Sequence, residues 1–316
     1  MKICVAGDSG LLGQAIAGHA LEKGISVHGV SSSSFNGARF WSPSQKNLYV
    51  HDSVNISKEM DVFLRIIEKV HPDFLVNCVA LVDLAACEKD TGLAESLNAG
   101  VARRLAQFCR QASIYFIHIS TDQIFDGNKK GPYSEIDSPN PTHVYGRTKL
   151  MGERAVLSAD PEALVVRTNI LGFRDRPDQL TFAEWLCAAL KEKRPITLAQ
   201  DFVTSSVHVA LLSEMIFLAW RKRLRGIYNF ASADSASKYH LGQLLSTMLG
   251  LGFENIKKGR LEDLKLVPKR PANSSLDVSK AEKALGIFFP TISKTANQIA
   301  VDFKRRLKEE THAQTE

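Results

Sequence analysis

The sequence predicts an α/β protein: a doubly wound parallel sheet with a smaller α/β lobe interleaved with it. Three observations predict this. Short apolar runs alternate with amphipathic helical patterns from Lys2 to about Gly172, the rhythm of βαβ units. A glycine-rich turn joins the first run to the first helix. Beyond Gly172 the periodicity becomes irregular, with no linker, repeat or low-complexity tract to mark an independent domain. The expected division assigns residues 1–172 to the sheet domain, with returning segments near 205–230 and 290–310. Residues 173–204 and 231–290 are expected to form the lobe.

Taken in order, Lys2-Ile3-Cys4-Val5-Ala6 reads as a buried strand that runs into Gly7-Asp8-Ser9-Gly10-Leu11-Leu12-Gly13 and a helix ending at Gly24. Glycines there permit a tight turn and close approach of backbone to phosphate. The amides of Leu11, Leu12 and Gly13 at the helix start suit an anion. The spacing G-x-x-G-x-x-G therefore points to a dinucleotide in a Rossmann-type domain, though close packing alone could also explain it. The second strand, Ile25–Val30, empties into Ser31-Ser32-Ser33-Ser34, with Arg39 beyond. An NAD site usually carries an acidic residue at this point to accept from the ribose hydroxyls. Serines and a nearby arginine tolerate a 2′-phosphate instead, so NADPH is the preferred cofactor and NAD the alternative.

A third strand, Leu48–Asp52, places Asp52 to take an adenine amino group. A helix over Asp61–Val70 stops before Pro72. The apolar run Phe74–Ala80 reads as a fourth strand, and the small Ala80 leaves room for the cofactor to pass. A helix through Asn98–Val101 follows, then the strand Ile114–Ile119. After the Tyr145 helix come a strand at Ala163–Thr168, helices near Thr181–Lys193 and His208–Leu224, a strand at Gly226–Phe230, and helices at Lys238–Leu249 and Ser279–Leu285.

The stretch from Ser120 to Glu153 carries the chemistry. Thr121 ends a buried strand, at the edge where open α/β sheets bind ligands. Tyr145 and Lys149 are spaced i, i+4 and share one helix face. An ammonium beside a phenol favours the phenolate, which would bring the tyrosine toward neutral proton exchange. The bland alternative is a surface tyrosine packed on a lysine stem.

Composition limits the remaining classes. The chain has 316 residues, 44% hydrophobic and 23% charged, as expected for an ordinary globular protein. No apolar run reaches the roughly 18 residues a membrane span needs, and Gly7-Asp8-Ser9 interrupts any signal-peptide core. Five scattered cysteines without a C-x-x-C point to a reducing cytoplasm, and nine histidines without ligand spacing point to no metal. The net charge of +6 suits an anionic nucleotide. Basic runs at Arg221–Arg225 and Lys304–Lys308 lack interleaved aromatics and read as solvated faces, so no nucleic-acid partner is expected.

These residues resemble the extended branch of the short-chain dehydrogenase/reductase family, and within it the dTDP-4-dehydrorhamnose reductase group. The resemblance rests on Gly7-x-x-Gly10-x-x-Gly13, Ser120-Thr121-Asp122 with Phe125-Asp126-Gly127, and Pro132-Tyr133-Ser134-Glu135. It rests equally on Tyr145-Gly146-Arg147-Thr148-Lys149 with Gly152-Glu153, and on Arg270-Pro271-Ala272-Asn273-Ser274. It implies that Tyr145 protonates a ketone oxygen as hydride reaches the carbon, that Lys149 holds the nicotinamide ribose, and that Thr121 bonds the carbonyl. An Asn such as Asn98 would order nearby solvent. Gln123, Asn169 and Arg270 are expected to meet the substrate, a sugar nucleotide, and a homodimer is the assembly expected. Departures fall near the sugar: Gln123 replaces a tyrosine, Ile170 a tryptophan, Leu81 and Val82 an aromatic residue or histidine followed by threonine, and Ser275 an arginine. The implied reaction is reduction of a 4-keto group on a nucleotide-linked deoxysugar. The alternatives are an epimerase or dehydratase of the same branch, or a non-catalytic NADP-binding regulatory subunit.

Overall fold

A computed structural model of the chain describes residues 1–33, 43–174 and 179–313. The first half is a βαβ succession: β1 (Lys2–Ala6), α1 (Leu11–Glu22), β2 (Ser26–Ser31), β3 (Tyr49–Ser53), α2 (Met60–Val70) and β4 (Phe74–Asn77). Two short helices, α3 (Leu84–Lys89) and α4 (Thr91–Glu95), lead through a π-helical turn at Ser96–Gly100 into α5 (Val101–Gln111). Then come β5 (Tyr115–Ile119), α6 (Val144–Ala159) and β6 (Leu164–Arg167).

The remaining elements are β7 (Ile170–Leu171), α7 (Phe182–Lys191), β8 (Ile196–Ala199), β9 (Val203–Thr204), β10 (Val207–His208), α8 (Val209–Arg221) and β11 (Gly226–Asn229). They continue with β12 (Ala236–Ser237), α9 (Lys238–Leu249), β13 (Ile256–Gly259), α10 (Ser279–Leu285) and α11 (Ile292–Ala313). Seven strands form one parallel sheet in the order β11-β6-β5-β4-β1-β2-β3. The chain winds outward from β1 to β3, then returns to β4 and winds the other way. The switch point between β1 and β4 opens a crevice at their carboxyl ends, where such sheets take ligands.

Both sheet faces are covered, which is why its strands read as unbroken apolar runs. Leu12, Ile16, Leu212 and Ile216 from α1 and α8 pack on one face. Phe63 and Ile67 from α2, Leu105 and Cys109 from α5, and Val156 from α6 cover the other. A separate apolar cluster gathers Leu186 and Leu190 of α7, Leu198 of β8, Leu241 and Leu245 of α9 and Ile256 of β13. Ile292, Ala296 and Ile299 of α11 join that cluster, so the segment expected to return to the sheet near 290–310 buries its face in the lobe instead. Within residues 205–230, α8 packs on α1 and β11 pairs with β6.

Strand β4 stops at Asn77, three residues short of the run read from sequence, so Ala80 lies in a loop. The Asn77 side chain accepts from the Val79 amide at 3.1 Å, a local bond that turns the chain out of the ladder. No helix among the described residues is long and apolar enough to cross a membrane.

Candidate active site

The glycine loop is built around backbone contact. Gly7 has φ +84°, a conformation that favours glycine, and its carbonyl accepts from the Gly10 amide at 3.0 Å. A Cβ on Gly13 would collide with that carbonyl and with the Asp8 Cα, so only glycine lets α1 start this close to β1. Gln14 is buried and donates to the Ser9 carbonyl at 3.0 Å, which fixes the turn. The first-turn amides of Leu11, Leu12 and Gly13 have no acceptor within their own helix and open at the sheet edge, a cradle that fits a dinucleotide diphosphate. Ser31 is buried with its hydroxyl on the Ser33 carbonyl at 3.3 Å, and Ser32 is exposed. Ser34 and Arg39 lie outside the described residues. Asp52, expected at adenine, gives Oδ2 to His28 Nε2 at 2.7 Å.

Thr121 and Tyr145 converge. The Thr121 hydroxyl accepts from the Gln123 amide and donates to Asp122 Oδ1, both at 3.2 Å, and it also meets the Tyr145 hydroxyl in a hydrogen bond. Tyr145 starts α6, whose N-cap is His143: Nδ1 accepts from the Gly146 amide at 3.1 Å. Its ionisation runs opposite to the expectation from sequence. Burial pushes the phenol well above its usual range, Asp122 and Cys87 add to the rise, and only the bond to Thr121 opposes it. Lys149 does not set this balance. Its ammonium is buried and donates to the Ile119 carbonyl at 2.6 Å, and burial brings its pKa down to about 8 against the pull of Glu153. The phenol therefore stays protonated.

Asp122 organises the floor of the site. Its buried carboxylate accepts from Asn169 Nδ2 at 2.7 Å and Ser274 Oγ at 2.5 Å through Oδ2, and from Thr121 and Gln123 Nε2 through Oδ1. Burial raises its pKa, while Ser274, Asn169, Gln123 and the charge of Lys238 hold it back. From Asn169 the bonds continue to Ser206 Oγ at 2.6 Å, Thr204 at 2.8 Å and Lys238 Nζ at 3.1 Å, crossing from sheet to lobe. Gln123 and Asn169, expected at the substrate, thus spend amide groups on Asp122. Gln123 Oε1 faces His143 Nε2 at 3.4 Å; because Nδ1 of that ring is an acceptor, Nε2 carries the proton. Burial and the charge of Arg270 bring His143 down to about 4, so it stays neutral. Arg270 is half-buried, with Asp83 acting on it and its guanidinium on the Pro268 carbonyl. Asn98 is buried and clamps protein: it accepts from Leu81 N at 2.8 Å and donates to Thr148 Oγ1 at 2.9 Å.

Sequence reasoning missed His143, Ser274 and Lys238. His143 precedes a helix, and its capping place was the available signal. Ser274 stands inside a motif that was read without a role for it. Lys238 opens α9 and carries no signal in the sequence. Yet it is buried between the faces of Phe182 and Phe202, at 5.0 and 5.2 Å, and burial lowers its pKa to about 8. A lysine whose folded pKa is depressed binds fewer protons folded than unfolded, so its contribution to stability rises with pH from about 8 to the ordinary lysine range. Wild type should therefore gain stability over Lys238→Met between pH 8 and 10, by up to about 3 kcal/mol, in paired urea titrations. Buried cysteine thiols add a falling term common to both proteins, and it cancels in the difference.

Several known proteins resemble the chain. A probable low-salt glycan biosynthesis reductase, Agl14 of Haloferax volcanii, is 29% identical over 294 residues, covering 92% of this chain and 95% of its own. A dTDP-4-keto-6-deoxy-D-glucose reductase of Streptomyces niveus is 31% identical over 186 residues, 58% of this chain and 64% of its own. The dTDP-4-dehydrorhamnose reductase of Bacillus anthracis, solved in complex with NADP, shares the fold with a TM-score of 0.79 at 20% identity, over 95% of this chain and 99% of that one. The RmlD substrate binding domain family matches residues 1–304, and the chain belongs to that family.

Proposed function

We propose that this chain is a nicotinamide-dependent reductase of the 4-keto group of a nucleotide-linked deoxysugar, with NADPH preferred and NADH as the alternative. The observation that carries this reading is the meeting of the Thr121 and Tyr145 hydroxyls at the carboxyl end of β5, in the same parallel sheet whose β1 runs into the glycine turn. Further support comes from relatives named as reductases of dTDP-linked keto-sugars and of glycan biosynthesis, and from a similar fold solved with NADP.

When bound, the cofactor supplies hydride to the carbonyl carbon. The protein's part is to place and protonate the oxygen. Thr121, fixed by Asp122 and the Gln123 amide, positions the carbonyl oxygen. Tyr145 passes its phenolic proton to that oxygen as charge develops there, and regains one from solvent. Burial supports this role by keeping the phenol neutral until a better acceptor arrives. Lys149, anchored on Ile119, presents a buried ammonium one helical turn from Tyr145 that opposes the negative charge left on the phenol. The substrate would lie between the sheet edge and the lobe, with Arg270 at its phosphates and Gln123 and Asn169 acting through Asp122.

We assign the protein to a reducing cytoplasm, a placement supported by cysteines that are all free. The test is a panel of dTDP-linked 4-keto-6-deoxysugars, each offered with NADPH and with NADH. Loss of the reduced cofactor's near-ultraviolet absorbance on at least one sugar is expected, and silence across the panel would overturn the reading.

A further inference from the structure

Lys238 is an ammonium placed where a helix least favours one. It is the first residue of α9, at the positive end of the helix dipole, and it is 9% exposed. The antiparallel pairing of β12 with β9 holds it there: its amide donates to the Phe202 carbonyl at 3.0 Å, and its side chain lies between the Phe182 and Phe202 rings. An apolar side chain would cost less in that place. The charge that acts on it in return is that of Asp122, just beyond β5.

The side chains between the two form a row whose hydrogens can point only one way. An ammonium only donates and a carboxylate only accepts. Lys238 Nζ donates to Thr204 Oγ1, and the Ser206 hydroxyl donates to Asn169 Oδ1, so Thr204 is the donor in its bond to Ser206. Asn169 then gives Nδ2 to Asp122 Oδ2, and every hydrogen along the row is turned toward that carboxylate. On its far side the Thr121 hydroxyl and the Gln123 amide donate to Oδ1, and Ser274 adds a bond to Oδ2. A protonated Asp122 would have to turn its own hydrogen onto Thr121 or Ser274, because the two amide nitrogens cannot accept. Thr121 would then lose its present orientation. The other titratable groups nearby are Tyr145 on α6, whose phenol the Asp122 charge pushes up, and His143, which reaches Asp122 only through Gln123 and is neutral.

We propose that Lys238 is a positioning residue for the reduction: acting through Thr204, Ser206 and Asn169, it keeps Asp122 a carboxylate and so holds the Thr121 hydroxyl in its working orientation. This rests on the reductase reading given above. The test compares the full chain as wild type, Lys238→Met, Thr204→Val and Asp122→Asn. In pH-difference infrared spectra, the protonated-carboxyl band that Asp122→Asn removes should titrate at higher pH in Lys238→Met than in wild type, because a cation that favours the carboxylate has gone. The profile of kcat against pH, scaled to its own maximum so that a misfolded fraction cancels, should show its acid limb moved up by about one pH unit in Lys238→Met. Thr204→Val keeps the charge but cuts the row. Its kcat per NADPH-binding site should fall by about 5–100-fold, with NADPH affinity within about twofold. A band or a limb left unmoved in Lys238→Met, or wild-type kcat in Thr204→Val, overturns the assignment of Lys238 and leaves the reductase reading intact. If wild type reduces no keto-sugar, the reductase reading falls, and the infrared band still decides whether Lys238 keeps Asp122 ionised.

Discussion

Replacing Tyr145 with Phe lowers turnover by on the order of 10²–10⁴-fold, while NADPH affinity stays within about twofold. The change removes one oxygen from a half-buried ring and leaves the helix cap at His143 and the Lys149 anchor on Ile119 in place. What disappears is the phenol bonded to Thr121, and with it the proton that balances hydride transfer. Single-turnover kinetics with saturating cofactor would measure the loss. The experiment also separates an enzyme from a cofactor-binding regulatory subunit, in which Tyr145 would be dispensable. A variant that retained wild-type turnover would remove Tyr145 from the mechanism.

The second large effect is on stability. Glu153 lies two turns beyond Tyr145 on α6 and grips Arg167 of β6 with Nε at 3.0 Å and Nη2 at 2.8 Å, while Ser120 Oγ donates to it at 2.6 Å. Both side chains are almost wholly buried, at 3% and 2% exposure. Glu153→Ala leaves the guanidinium uncompensated in the interior and should cost about 3–5 kcal/mol, read as a fall in the urea midpoint. Replacing both partners with apolar residues of similar volume should restore most of that loss, because the pair's attraction is largely offset by its desolvation. If Glu153→Ala and the double variant were equally unstable, packing rather than charge would explain the effect.

The sheet was legible because its strands are buried on both faces and so read as continuous apolar runs bounded by polar turns. The helices at Lys238–Leu249 and Ser279–Leu285 were legible to the residue, each closed by a glycine in the left-handed conformation, Gly250 and Gly286. The lobe's pairing of β8 with β13 was not. Ile256-Lys257-Lys258-Gly259 is short and half polar, and its partner lies far away in sequence. In the site, the Tyr145–Lys149 spacing correctly placed two side chains on one helix but could not say where the ammonium would go. Tertiary structure gave it the Ile119 carbonyl, and burial then decided the phenol's ionisation. Asp122 stayed silent for a related reason. A carboxylate's partners, here Ser274 and Asn169, come from distant parts of the chain, and no local pattern announces them.

The most direct test of the account follows the hydrogen. NADPH carrying deuterium at its transferable position is mixed with enzyme and a dTDP-linked 4-keto-6-deoxysugar, and the product sugar is analysed by mass spectrometry and NMR. A reductase built on Thr121 and Tyr145 places one deuterium at C4 for every NADPH oxidised. Product free of label, or sugar converted with no NADPH consumed, would contradict it.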